Sequence, residues 1–127
     1  MEFRKQLLYF LLVIGLFTTA CSSSAPKEDV GQKVNLLKGL YSYGPEIKSF
    51  INCEEGREYW VLDSAKTLEL AYQEIGLEKP YTPVYIEVEC FIKKSDTSSV
   101  TGDYDSTMVV TKLLKISKEI PEGPCNQ

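Results

Sequence analysis

Residues 84–92 alternate without a break. Val84, Ile86, Val88, Cys90 and Ile92 fall on one phase, and Tyr85, Glu87, Glu89 and Phe91 on the other. A period of two marks a β-strand with one face buried and the other wetter. A chain organised around such a strand must cover one side of a sheet and dispose of the sheet's edges. At 127 residues it has room for one domain.

The flanking segments supply partners for that strand. Leu37–Tyr43 reads as a first strand, and Gly44-Pro45 as the turn after it. Glu46–Cys53 alternates in part and is rich in aromatic and β-branched residues, as a second strand would be. Residues 52–56 form a turn, and Arg57–Leu62 a short third strand. Asp63 or Ser64 is placed to N-cap a helix whose inner face is Ala65, Leu68, Tyr72 and Ile75. Gly76 suits the position just past that helix, and Pro80 bars its continuation. After Val84–Ile92, residues 93–105 are polar and loop-like, and Ser106–Ser117 returns to Val, Thr, Leu and Ile. The expected class is mainly β. Five strands with a helix between the third and fourth match a small OB-fold-like barrel over residues 36–127. An open antiparallel sheet with one packed helix is the alternative.

Residues 1–20 follow export grammar. Arg4 and Lys5 lead, Leu7–Phe17 is apolar, and Thr18-Thr19-Ala20 are small. The apolar run is short of the roughly 20 residues that span a bilayer. The segment resembles a bacterial lipoprotein signal peptide, whose lipobox ends in Gly or Ala before a Cys. Ala20 and Cys21 match it, while Thr18 stands where Leu is usual. The resemblance implies cleavage before Cys21 and lipid attachment there. Ser22 is not the Asp that marks inner-membrane retention, so an outer-membrane address in the cell envelope is expected. Residues 21–35 are Ser-rich and polar, a flexible tether.

Composition excludes several chemistries. The chain carries 14 Lys+Arg against 18 Asp+Glu, net −4, and removal of residues 1–20 leaves the remainder near −5. Nucleic-acid binding needs a basic stripe, so no nucleic-acid partner is expected. There is no histidine, which removes Ser-His-Asp and Cys-His catalysis and imidazole metal ligation. Glu87 and Glu89 share a strand face about 7 Å apart, but outward acids on a strand are ordinary solvated groups. Residues 96–105 lack the regular ligand spacing of a calcium loop. No catalytic residue, metal site or cofactor is expected.

The aromatics crowd the first three strands: Tyr41, Tyr43, Phe50, Tyr59 and Trp60. An OB barrel presents its second and third strands to ligands, often through stacking rings. Tyr41, Tyr43, Phe50 and Trp60 are therefore the candidate ligand face. Filling a small core is the competing role for the same rings.

Three stretches resemble the OB-type C-terminal domain of the NlpE envelope lipoproteins. They are Gly39-Leu40-Tyr41-Ser42-Tyr43-Gly44-Pro45-Glu46, Ser49-Phe50-Ile51-Asn52-Cys53 and Glu58-Tyr59-Trp60-Val61. Pro83–Val88 and Tyr104–Val110 look like that domain's fourth strand and the lead into its fifth. The family's N-terminal barrel and its Cys-x-x-Cys pair have no counterpart, since Cys21, Cys53, Cys90 and Cys125 lie far apart. Many relatives have Gly where this chain has Cys90. The resemblance implies a link to adhesion sensing and envelope stress signalling.

An exported chain meets an oxidising compartment, where cysteines pair. Cys90 lies on the apolar phase of its strand and suits a buried thiol. Cys53 in a turn and Cys125 in an irregular tail can both adjust to disulfide geometry. Cys53–Cys125 is the expected bridge and Cys53–Cys90 the alternative. The resulting reading is a non-enzymatic, monomeric envelope lipoprotein. It is held to a membrane by its N-terminal lipid and binds a protein, peptide or glycan. The alternative is an inhibitor of a cationic hydrolase such as lysozyme.

Overall fold

The computed structural model describes residues 32–96 and 100–126. The chain divides into two compact units, Met1–Val30 and Gly31–Gln127, and every described residue belongs to the second. The expected signal peptide, Cys21 and the tether up to residue 31 lie outside the described residues.

The described unit is a closed barrel. Its elements are β1 (Asn35–Tyr43), β2 (Lys48–Asn52), β3 (Glu58–Asp63), α1 (Thr67–Glu74), β4 (Val84–Lys94) and β5 (Ser106–Ser117), with a short 3-10 turn at Val100–Asp103. The strand order is β1-β2-β3-β5-β4, with β4 returning to β1. All pairs are antiparallel except β3 with β5, which closes the barrel in parallel register from Trp60↔Thr107 to Asp63↔Val110. This is the barrel form of the two arrangements open to the sequence. Among the described residues no helix is long and apolar enough to cross a membrane.

The alternating phase of β4 becomes the core. Val84, Ile86, Val88 and Cys90 are all fully buried, and Tyr41, Phe50, Val61, Met108 and Val110 meet them from the other strands. Each such side chain contributes roughly 1.5–3 kcal/mol by leaving water. α1 plugs one end of the barrel with Leu68 and Tyr72. Ala65, expected on the same face, precedes the helix and is exposed. β1 starts at Asn35, ahead of the expected Leu37, because β4 is long enough to give Asn35 and Leu36 partners at Cys90 and Glu89.

Gly39 shows how tightly β1 is wrapped. A Cβ there would collide with the Ile51 carbonyl oxygen and the Phe50 ring. The strand can bend over β2 at that point only without a side chain. Cys53 and Cys125 form a disulfide with Cα atoms 4.8 Å apart, tying the C-terminal tail to the end of β2, while Cys90 remains a buried free thiol.

Candidate functional site

The barrel divides the four candidate ligand-face residues. Tyr41 and Phe50 are fully buried, which corrects their assignment to that face. Both lie on inward phases of strands that close tightly, and their rings fill the core. Burial raises the Tyr41 hydroxyl pKa strongly, and the nearby charges of Glu69 and Asp63 push it the same way. Tyr43, two residues beyond Tyr41 on the same phase, emerges half-buried at the end of β1. Its ring stacks on Tyr41 at 6.3 Å and lies under the Lys48 ammonium at 5.5 Å.

Trp60 alone of the four lies on the outer phase. In β3 the inward residues are Tyr59, Val61 and Asp63, so Glu58, Trp60 and Leu62 point away from the core. Trp60 pairs with Ser49 on β2 and with Thr107 on β5, and Thr107 pairs with Lys93 on β4. The next row is Leu62, Val109 and Phe91. Leu62 is 46% exposed, whereas Val109 between its neighbours is nearly covered. The outer side of a small barrel is normally polar, so Trp60, Leu62 and Phe91 on two adjacent rows there call for a cause.

The β4–β5 connection completes this face. Tyr104 lays its ring against Trp60 at 5.7 Å, with 59° between the planes, and its N–H donates to the Thr101 carbonyl at 3.0 Å. Burial is the main cause raising the Tyr104 pKa. A hollow of about 190 Å³ lies beside the pair, lined by Trp60, Leu62, Thr107 and Thr101 and by the charged Lys93, Lys94 and Asp96. At its edge the Ser95 and Thr107 hydroxyls hydrogen-bond each other at 2.8 Å. Lys93 and Lys94 are exposed and form no ion pair among the described residues.

The two buried hydroxyls, of Ser95 and Thr107, hydrogen-bond each other. Glu87 accepts a hydrogen bond from the Tyr85 hydroxyl at 2.8 Å and faces Lys38 at 3.8 Å, as a structural acid does. Among the described residues no three His, Cys, Asp or Glu side chains come together as metal ligands.

Leu62 was legible beforehand, since it shares the strand phase of Trp60. Tyr104 was not, because the path of a loop has no period to read. The family model for the NlpE C-terminal OB domain matches residues 31–125. Among solved structures, the chain is similar to the Cpx pathway activator NlpE from Escherichia coli, with a TM-score of 0.55 and 19% sequence identity. That likeness covers 74% of this chain and 45% of the other, so it bears on the fold and on less than half of the larger protein. No curated protein matches the chain. With the model match running through all five strands, α1 and the Cys53–Cys125 bridge, this chain belongs to the NlpE C-terminal OB domain family.

Proposed function

We propose that this chain is a non-enzymatic binding module of the bacterial cell envelope, lipidated at Cys21, anchored at the outer membrane, and engaging an envelope protein, peptide or glycan on the Trp60 face. The observation that carries the reading is Trp60 and Leu62 side by side on the solvent side of β3, with Tyr104 held against Trp60. Trp and Tyr dominate binding energetics because they offer large, stiff, amphipathic surfaces. The Trp60–Tyr104 ring contact and the Tyr104 N–H bond to the Thr101 carbonyl pre-order the platform and lower the entropy lost on association. Kinship with a Cpx pathway activator motivates a further role in envelope stress signalling. Inhibition of a cationic hydrolase fits this face less well, since Lys93 and Lys94 outnumber Asp96 along it.

The test is in-cell photo-crosslinking from a probe at Leu62, with exposed Glu119 as the control position. A discrete adduct from position 62, lost when Trp60→Ala is added, supports the reading. Equal yields from both positions, or none from position 62, overturn it. The anchor is tested separately with Cys21→Ser, which is expected to move the chain from the membrane fraction to the soluble fraction. A native chain whose Cys21 carries no fatty-acyl mass in intact-mass analysis overturns lipidation.

A further inference from the structure

A second cleft, of about 420 Å³, shares no lining residue with the Trp60 face. It opens where α1 plugs the barrel, between the β1–β2 turn and the α1–β4 connection. Its volume falls in the range of about 300–1,000 Å³ typical of ligand clefts. Pro45, Leu77 and Pro80 give it apolar walls, and Tyr43 and Tyr72 stand behind them.

The rims are held in place before anything binds. Tyr81 staples one to the other. Its N–H donates to the Tyr43 carbonyl at 3.0 Å, and its hydroxyl accepts the Glu46 N–H at 3.2 Å. Its ring lies so close to Gly44 that any Cβ there would collide with it. Tyr81 does this from a left-handed backbone, φ 63°, a conformation that costs a non-glycine residue about 1–3 kcal/mol and persists only where surrounding contacts impose it. The Tyr72 hydroxyl donates to the Thr82 carbonyl at 2.7 Å, fixing α1 to the same connection.

The polar groups in the cleft are chiefly donors. Lys79 is its one charged lining residue, and it forms no ion pair among the described residues. The Gln73 amide reaches the Tyr43 hydroxyl only at 3.5 Å, which leaves both groups hydrogen-bonding capacity. A sugar would need an open aromatic face to stack on, but the Tyr43 ring is already engaged by Tyr41, Tyr72 and the Lys48 ammonium, and Tyr72 is buried. Apolar walls, acceptor-seeking side chains and one cation instead match a peptide backbone bearing an aliphatic residue and a carboxylate. The cleft opens broadly to solvent, so an extended segment can lie along it.

The geometry points to this cleft as a binding site for an extended segment of a protein partner. The aliphatic side chain enters between Pro45, Leu77 and Pro80, and a neighbouring Asp or Glu side chain pairs with Lys79. The site is independent of the Trp60 face, and either can fail without the other.

The test is an NMR titration of the full chain in detergent micelles with acetyl-Gly-Leu-Glu-Gly-amide. Saturable amide shifts at Tyr43, Gln73 and Leu77 are expected, with binding about two- to fivefold weaker for the Gln counterpart, the range of an exposed ion pair. Lys79→Gln is expected to abolish that preference while leaving the circular dichroism spectrum unchanged. Three outcomes overturn the proposal: no saturable shift, equal binding of the Glu and Gln peptides, or a preference that survives in Lys79→Gln. A Gln peptide with a free C-terminal carboxylate that binds as well as the Glu peptide overturns the side-chain source of the charge.

Discussion

Asp63 caps a helix that it does not border. Its Oδ2 accepts the Glu69 N–H at 2.9 Å, six residues along the chain. The N-cap position itself is Lys66, in the left-handed region at φ 57°, with no side-chain cap bond. Glu69 then reaches Lys48 on β2, so one acid–amide–acid–ammonium chain ties β3, α1 and β2 together. Asp63→Ala is expected to cost about 1–2 kcal/mol, the range of a lost helix cap. Lys66→Gly is expected to stabilise by up to about 1 kcal/mol, because glycine adopts the left-handed conformation freely. Urea unfolding of the two variants checks both signs.

The Cys53–Cys125 bridge spans 72 residues of sequence. A loop of that length constrains the unfolded chain by about 4 kcal/mol in the chain-entropy model. Reduction, or Cys53→Ser with Cys125→Ser, is expected to lower stability by that order. The effect has a second, local readout. Pro121, Glu122, Pro124 and Cys125 line a small hollow with Lys38 and Tyr85, and the Asn126 N–H donates to the Gly123 carbonyl at 3.0 Å, so the Asn126 amide is expected to lose hydrogen-exchange protection before the barrel does. Simultaneous loss across tail and strands would show that the tail is integral to the core.

Cys90 makes alkaline stability a measure of core integrity. Burial pushes its thiol from 9.0 up to about 11. The folded state therefore favours the protonated thiol. That contribution is fully present below pH 9 and is lost as pH rises through about 11, amounting to about 3 kcal/mol at one unit per 1.36 kcal/mol. Stability is expected to fall between pH 9 and 11, and Cys90→Ala to flatten the fall. A residual slope is expected from Tyr41, Tyr72, Tyr85 and Tyr104, whose hydroxyls burial also raises. Urea titrations at four alkaline pH values decide it; an identical slope in the alanine variant removes Cys90 from the account.

Much of the fold was legible where a single period governs. The unbroken alternation of residues 84–92 predicts β4 and its core phase, and the Leu68–Tyr72 spacing predicts the inner face of α1. The cap was misplaced because Asp63 ends β3 on an inward phase and reaches the helix through space, which no local pattern encodes. The ligand face was half legible for a related reason. Phase alone puts Tyr41 with Tyr43, but position along the strand decides which of them leaves the core. The tyrosine cleft was not legible at all, since Pro45, Leu77, Lys79 and Tyr81 come from connections whose meeting depends on barrel closure.

β5 carries the barrel's one long unpaired edge among the described residues. β3 covers it only over Thr107–Val110, whereas β4 pairs with it as far as Ser117. Beyond Val110, the edge that faces away from β4 has no strand beside it. Such edges invite pairing with another chain, and lysines and bulges are the usual defences. Both are present. The register with β4 breaks twice, skipping Thr111 and Leu114, and Lys112 and Lys115 are exposed opposite Glu89 and Glu87. Lys115 also lies over the Tyr85 ring at 6.0 Å. Replacing Lys112 and Lys115 by threonine keeps strand propensity and removes the charge. The double variant is expected to associate at concentrations where the parent stays monomeric, as sedimentation velocity reports. If it stays monomeric, the two bulges alone twist the edge out of reach, and straightening the strand by deleting Thr111 becomes the variant expected to associate.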